Sequence, residues 1–116
     1  MSDAAADSAV PPYHLFLSAQ EVPVTASALR LLISDEAHEP HIRTLAREVL
    51  DNLAQPPNEQ GVVTVTLAPQ QMKITHSAVR LLLNDLQRGQ AQEREVLHAI
   101  LDKLPDEHTM RAIEID

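Results

Sequence analysis

The chain has 116 residues, with 17 Asp and Glu against 9 Lys and Arg for a formal net charge of -8, six His and no Cys. A chain of this length builds one hydrophobic core and leaves no room for a cofactor domain beside a substrate domain. The missing Cys excludes disulfides, thiolate nucleophiles and Cys-ligated metal centres, and the excess of acids opposes direct binding to nucleic acid or to an anionic membrane.

Residues 1–12 carry acids where a signal peptide has a basic flank, contain no apolar segment, and read as a disordered tail. The first repeat, 13–54, opens on the alternating run His14-Leu15-Phe16-Leu17, a short strand. Ser18-Ala19-Gln20-Glu21 then has the spacing of a capping box. Pro23 would disrupt a helix interior, so a separate turn is expected before the helix resumes near it. Leu29, Leu32 and Ile33 recur at helical spacing, and Leu31 lies off that stripe and widens the apolar face. Pro40 opens a second helix with Ile42, Leu45, Ala46, Val49, Leu50 and Leu53 inward.

The linker, 55–61, contains Pro56 and Pro57, which stop that helix, and Gly61, which leads into the next strand. In the second repeat, 62–105, Val62-Val63-Thr64-Val65-Thr66-Leu67 has the β-branched richness of a strand. Pro69 suits a first helical position, and Met72, Thr75, Val79, Leu82, Leu83 and Leu86 form one stripe, with Leu81 beside it. Val96, Leu97, Ile100, Leu101 and Leu104 mark a fourth helix. Beyond Pro105, the alternation of Met110-Arg111-Ala112-Ile113-Glu114-Ile115-Asp116 predicts a further strand within 108–116.

Compared with itself at an offset of 50, the chain repeats. Leu17/Leu67, Gln20/Gln70, Thr25/Thr75, Ser27/Ser77, Ala28/Ala78, Arg30/Arg80, Leu31/Leu81, Leu32/Leu82 and Asp35/Asp85 are identical pairs. After one inserted residue the match resumes with Arg43/Arg94, Leu50/Leu101, Asp51/Asp102 and Leu53/Leu104. Composition alone would give on the order of one or two identities in the first window, so the pattern reads as a tandem duplication of a strand–helix–helix unit. Two helices between successive strands return the chain to the end it left. The expected fold is therefore α+β, a small antiparallel sheet of about three strands with four helices on one face and approximate two-fold pseudo-symmetry. An all-helical bundle with frayed strands is the alternative.

Three constellations bear on chemistry. The stretch Asp35-Glu36-Ala37-His38-Glu39-Pro40-His41 places His38 and His41 three apart among acids, a spacing that can bring both to one metal, or else it is a solvated turn. Its counterpart, Asp85 to Gln92, has no His. Residues 35–38 also spell a helicase motif, but no phosphate-binding Gly-x-x-x-x-Gly-Lys stretch accompanies it in a chain with two Gly. The repeated polar set Thr25/Thr75, Ser27/Ser77, Arg30/Arg80 and Asp35/Asp85 can bring two guanidinium groups near a common axis to hold an anion. Alternatively, the Arg stems cover apolar surface and the hydroxyls serve the helices. A Ser–His–Asp set lacks a nucleophile elbow to position it.

These residues point to a small, non-catalytic interaction or structural protein without a cofactor. A cytoplasmic location is expected, since the apolar runs Leu31-Leu32-Ile33 and Leu81-Leu82-Leu83 are far below the roughly 18 residues of a membrane span. On the second strand both alternating sets, Val63/Val65/Leu67 and Val62/Thr64/Thr66, can be buried, which favours a homodimer. The competing expectations are an acidic inhibitor, of antitoxin or immunity type, steered onto a basic partner, and a protein that binds a ligand through Arg30, Arg80, Ser27 and Ser77 or a metal through His38 and His41.

Overall fold

The computed structural model describes residues 13–34, 40–86, 90–105 and 109. In chain order these form β1 (Tyr13–Leu17), α1 (Glu21–Ser34), α2 (Pro40–Asn52), β2 (Val63–Leu67), α3 (Pro69–Asp85) and α4 (Ala91–Lys103). The fold is α+β, four helices and one antiparallel pair of strands. Real strand pairing displaces the all-helical alternative. Two strands are present among the described residues where about three were expected, and Met110–Asp116 lies outside them. Thr109, within the stretch 108–116 read as strand, is helical. The tail 1–12 also lies outside the described residues.

The strand register is centred on Leu15 opposite Val65, with Leu17 opposite Val63 and Tyr13 opposite Leu67. Leu15 thus faces the residue 50 positions ahead of it. Alternation sends Leu15, Leu17, Val63, Val65 and Leu67 to one face, where all are buried, and leaves His14, Phe16, Thr64 and Thr66 exposed on the other. The helices therefore cover a single face of the sheet. The expectation that Thr64 and Thr66 could be buried as well is not met within one chain.

Helices α1 and α3 pack on each other at the centre, with Ala28 and Ala78 fully buried, and α2 and α4 flank them. The flanking helices cross over: α2 touches β2 and α3 of the second half, whereas α4 touches β1 and α1 of the first. The resulting core is aliphatic, built on Leu15, Leu17, Leu29, Leu32, Val49, Val65, Leu67, Val79, Leu97 and Ile100. Of the inward positions expected on α2 and α4, Ala46, Val49, Leu53, Leu97, Ile100 and Leu104 are buried, and Ile42, Leu45, Leu50, Val96 and Leu101 are half-buried against the core.

Local chemistry explains the helix starts. Ser18 and Glu21 form a reciprocal capping box: the Ser18 N–H donates to Glu21 Oε1 at 2.8 Å and the Glu21 N–H to Ser18 Oγ at 3.3 Å. Pro23 is the third residue of α1, and the Ser18 carbonyl already accepts from the N–H groups of Glu21 and Val22 at 3.0 and 3.1 Å, so the helix starts before Pro23 without the separate turn expected, and Pro23 forgoes only its own backbone donor. In α3, Pro69 is in the first turn, and Gln71 Oε1 accepts from the Ala68 N–H at 2.9 Å, reproducing half of the box.

The linker turn is organised by Asn58, whose Oδ1 accepts from the N–H groups of Gln60 and Val62, both at 2.9 Å. Gly61 closes that turn at φ +77°, with open space where a Cβ would be. The penalty for a side chain there is thus conformational alone. Gly61→Ala should cost about 1 kcal/mol in urea unfolding; no loss would show that the turn tolerates a right-handed backbone.

Candidate functional site

The repeated polar residues divide between two sides of the central helices. Thr25 and Thr75 are fully buried, and their hydroxyls donate to the carbonyls of Glu21 and Gln71 at 2.8 and 2.9 Å, one turn earlier in the same helix. Their repetition therefore has a structural use, satisfying a buried hydroxyl within the helix. Ser27, Arg30, Ser77 and Arg80 are exposed. They continue an outward stripe, Pro23, Ser27, Arg30 and Ser34 on α1 and Ser77, Arg80 and Asn84 on α3. Asp85 is exposed at the end of α3, and its counterpart Asp35 lies outside the described residues.

His41 is exposed in the first turn of α2; His38 lies outside the described residues. Among the described residues no group of three His, Asp or Glu converges as a metal site. An open cleft of about 630 Å3 lies between the starts of α1 and α4 and is lined by Ala19, Gln20, Pro23 and Val24 on one wall and Gln92, Glu93, Glu95 and Val96 on the other. Its lining mixes the apolar Ala19, Pro23, Val24 and Val96 with two Gln and the acids Glu93 and Glu95. None of Arg30, Arg80, Ser27, Ser77 or His41 lines it.

The densest electrostatic arrangement is one the sequence presented only as a helix cap. Glu21 is buried at the start of α1, and Lys103, the last residue of α4, reaches it with Nζ 2.5 Å from Oε1. The same ammonium donates to the Phe16 carbonyl at 2.9 Å, and the Tyr13 hydroxyl donates to the Lys103 carbonyl. Burial pushes the Glu21 pKa up, but the Lys103 hydrogen bond, the Ser18 N–H, the Lys103 charge and the Ser18 hydroxyl outweigh it and hold the carboxyl below its ordinary value. At the corresponding place in the second half, Gln71 Nε2 donates to Glu48 Oε1 of α2 at 3.2 Å. Each half thus ties the cap of its long helix to a flanking helix of the other half, once by an ion pair and once by a neutral donor to a carboxylate. A signal was present in the pairing of Glu21 with Gln71 at the offset of 50, although Lys103 is more than 80 residues away and no spacing rule connects it.

The remaining candidate surface is the open side of the sheet. Phe16, 55% exposed, is the most exposed large hydrophobic among the described residues, and it sits beside His14, Thr64 and Thr66. His14 Nδ1 and Thr66 Oγ1 lie 3.2 Å apart.

Fold and surface together define a small α+β protein whose helices shield one sheet face and whose other face meets solvent. No protein-family model, curated protein or solved structure matches the chain. Among the described residues no helix is long and apolar enough to cross a membrane.

Proposed function

We propose that this protein is a small, non-catalytic interaction or structural protein, built by duplication of a strand–helix–helix unit and working in the cytoplasm as a homodimer. The observation that carries this reading is a sheet of only two strands among the described residues, which leaves strand edges for further pairing as well as one uncovered face. A two-stranded antiparallel pair is marginal alone and gains stability from further strands or from cover, and here helices supply cover on one side only. Supporting it, seven of the repeated positions serve the architecture: Leu17, Thr25, Ala28, Leu32, Leu67, Thr75 and Ala78 are buried in or against the core.

Light scattering of the purified chain tests the reading. The expected mass is twice the 12.8 kDa of one chain, retained when salt is raised, because an interface built on backbone pairing and apolar contact is insensitive to screening. A mass of one chain at all concentrations would remove the homodimer. A homodimer that falls apart at high salt would shift the argument to charged surfaces.

A further inference from the structure

The two edges of the sheet are not equivalent. At the entrance to β2, the Val62 N–H donates to Asn58 Oδ1 at 2.9 Å and the Val62 carbonyl accepts from the Asn58 N–H at 2.8 Å. Both groups of Val62 therefore point away from β1, and the alternation of an antiparallel ladder directs those of Thr64 and Thr66 the same way. Two further observations agree. Phe16, opposite Thr64, offers its carbonyl to Lys103, which lies outside the strand pair. His14 and Thr66, also opposite each other, bring their side chains within 3.2 Å, the close approach of a pair that exchanges no backbone bonds.

On β1 that outer row is guarded: the Lys103 ammonium occupies the Phe16 carbonyl, and a charged group at an edge opposes pairing with another strand. On β2 no such guard is found among the described residues: no third strand pairs with it, and no turn or loop backbone bond reaches Thr64 or Thr66. The strand Val63-Thr64-Val65-Thr66-Leu67, with Val62 before it and Ala68 after it, carries no charge and no Pro. Such an edge is a template for another strand unless it is filled.

We infer that this edge is filled by β2 of a second copy, antiparallel and centred on Val65, giving a continuous four-stranded sheet in the order β1-β2-β2-β1. This identifies the surface of the homodimer proposed above and rests on that reading. Three features favour the second copy. Pairing about Val65 sets the outward groups of Thr64 against those of Thr66 of the other copy and the reverse, so one two-fold axis satisfies every free group and the interface closes. The buried faces join without a break, since Val63 of one copy meets Leu67 of the other on the side the helices cover. In a chain of net charge -8 the uncharged strip 62–68 is also where two copies approach with little local repulsion. The competing occupant from the same chain is the segment after Pro105, and the helix before it, α4, ends at the opposite edge, where Lys103 meets Phe16 and Tyr13 of β1.

The test is a charge exchange across the axis. In the full chain, one variant carries Thr64→Lys with Thr66→Lys and a second carries Thr64→Glu with Thr66→Glu. Both positions are exposed in the single chain, so each variant keeps its fold by circular dichroism. Like charges then stand directly opposite each other. Each variant alone should lose the dimer at concentrations where the native chain retains it, and an equimolar mixture should recover it. In the native chain the amide protons of Thr64 and Thr66 should exchange slowly. A folded Lys variant that remains dimeric overturns the edge while leaving the homodimer intact; failure of the mixture to re-form dimer overturns the register. A native chain that is monomeric removes both proposals, and slow exchange at Thr64 and Thr66 in that monomer would assign the edge to the chain's own C-terminal segment.

Discussion

Replacing Leu29 by Ala should destabilise the protein by about 3 kcal/mol and lower its thermal midpoint by on the order of 10 °C. Leu29 is fully buried in the middle of α1, the helix that packs on α3 at the centre of the fold. Truncation removes the transfer free energy of the deleted carbons and leaves a cavity that neighbours on two helices cannot close without moving apart. Val79, its counterpart at the offset of 50, is buried to the same degree on α3, and Val79→Ala should cost about 2 kcal/mol, less because a smaller side chain is lost. Ser27→Ala, two residues from Leu29 on the outward stripe, should stay within about 0.5 kcal/mol. Urea unfolding of the three variants checks the set. Equal losses for Ser27 and Leu29 would mean that α1 presents a different face to the core.

Glu21→Ala should cost about 2 kcal/mol at neutral pH, because it removes an acceptor from the Ser18 N–H and leaves Lys103 without its carboxylate. Glu21→Gln separates the two contributions. Its amide oxygen can still accept from Ser18, as Gln71 does from Ala68, but the charge is gone. With Lys103 partly open to solvent, the ionic part should be about 1 kcal/mol. The pH dependence follows from the lowered carboxyl. The native-state carboxylate holds its proton less tightly than the unfolded one, so the contribution is complete above the ordinary Glu titration near pH ~4.3 and disappears as pH falls through the lower folded-state value. Native protein and Glu21→Gln should differ at neutral pH and converge as the pH falls through the lowered folded-state value. A difference that stays constant across that range would show that the Lys103 contact contributes through packing and not charge.

Much of the architecture was legible in the residues. Alternation at His14–Leu17 and Val62–Leu67 located both strands, because a strand with one covered face must alternate. Pro40 and Pro69 marked the helices they open, whereas the repeated polar set, read as one group, is divided by the structure into buried Thr25 and Thr75 and exposed Ser27, Arg30, Ser77 and Arg80. The candidate site was less legible. The repeated Arg and Ser attracted attention because identity at an offset is visible, whereas the contact between Glu21 and Lys103 joins opposite ends of the chain and leaves no periodic trace.

The sequence by itself determined the α+β class, the order of the six described elements and an aliphatic core, since these follow from the spacing of apolar residues, from caps and from Pro positions, all of them local. Only the tertiary structure decided that α2 and α4 each pack on the strand of the other half, that Lys103 meets the Phe16 carbonyl at the β1 edge, and that among the described residues no strand pairs with the other edge of β2. These depend on which distant surfaces meet. That is set by burying the most apolar area around one core, a property of the whole chain that no window of neighbouring residues contains.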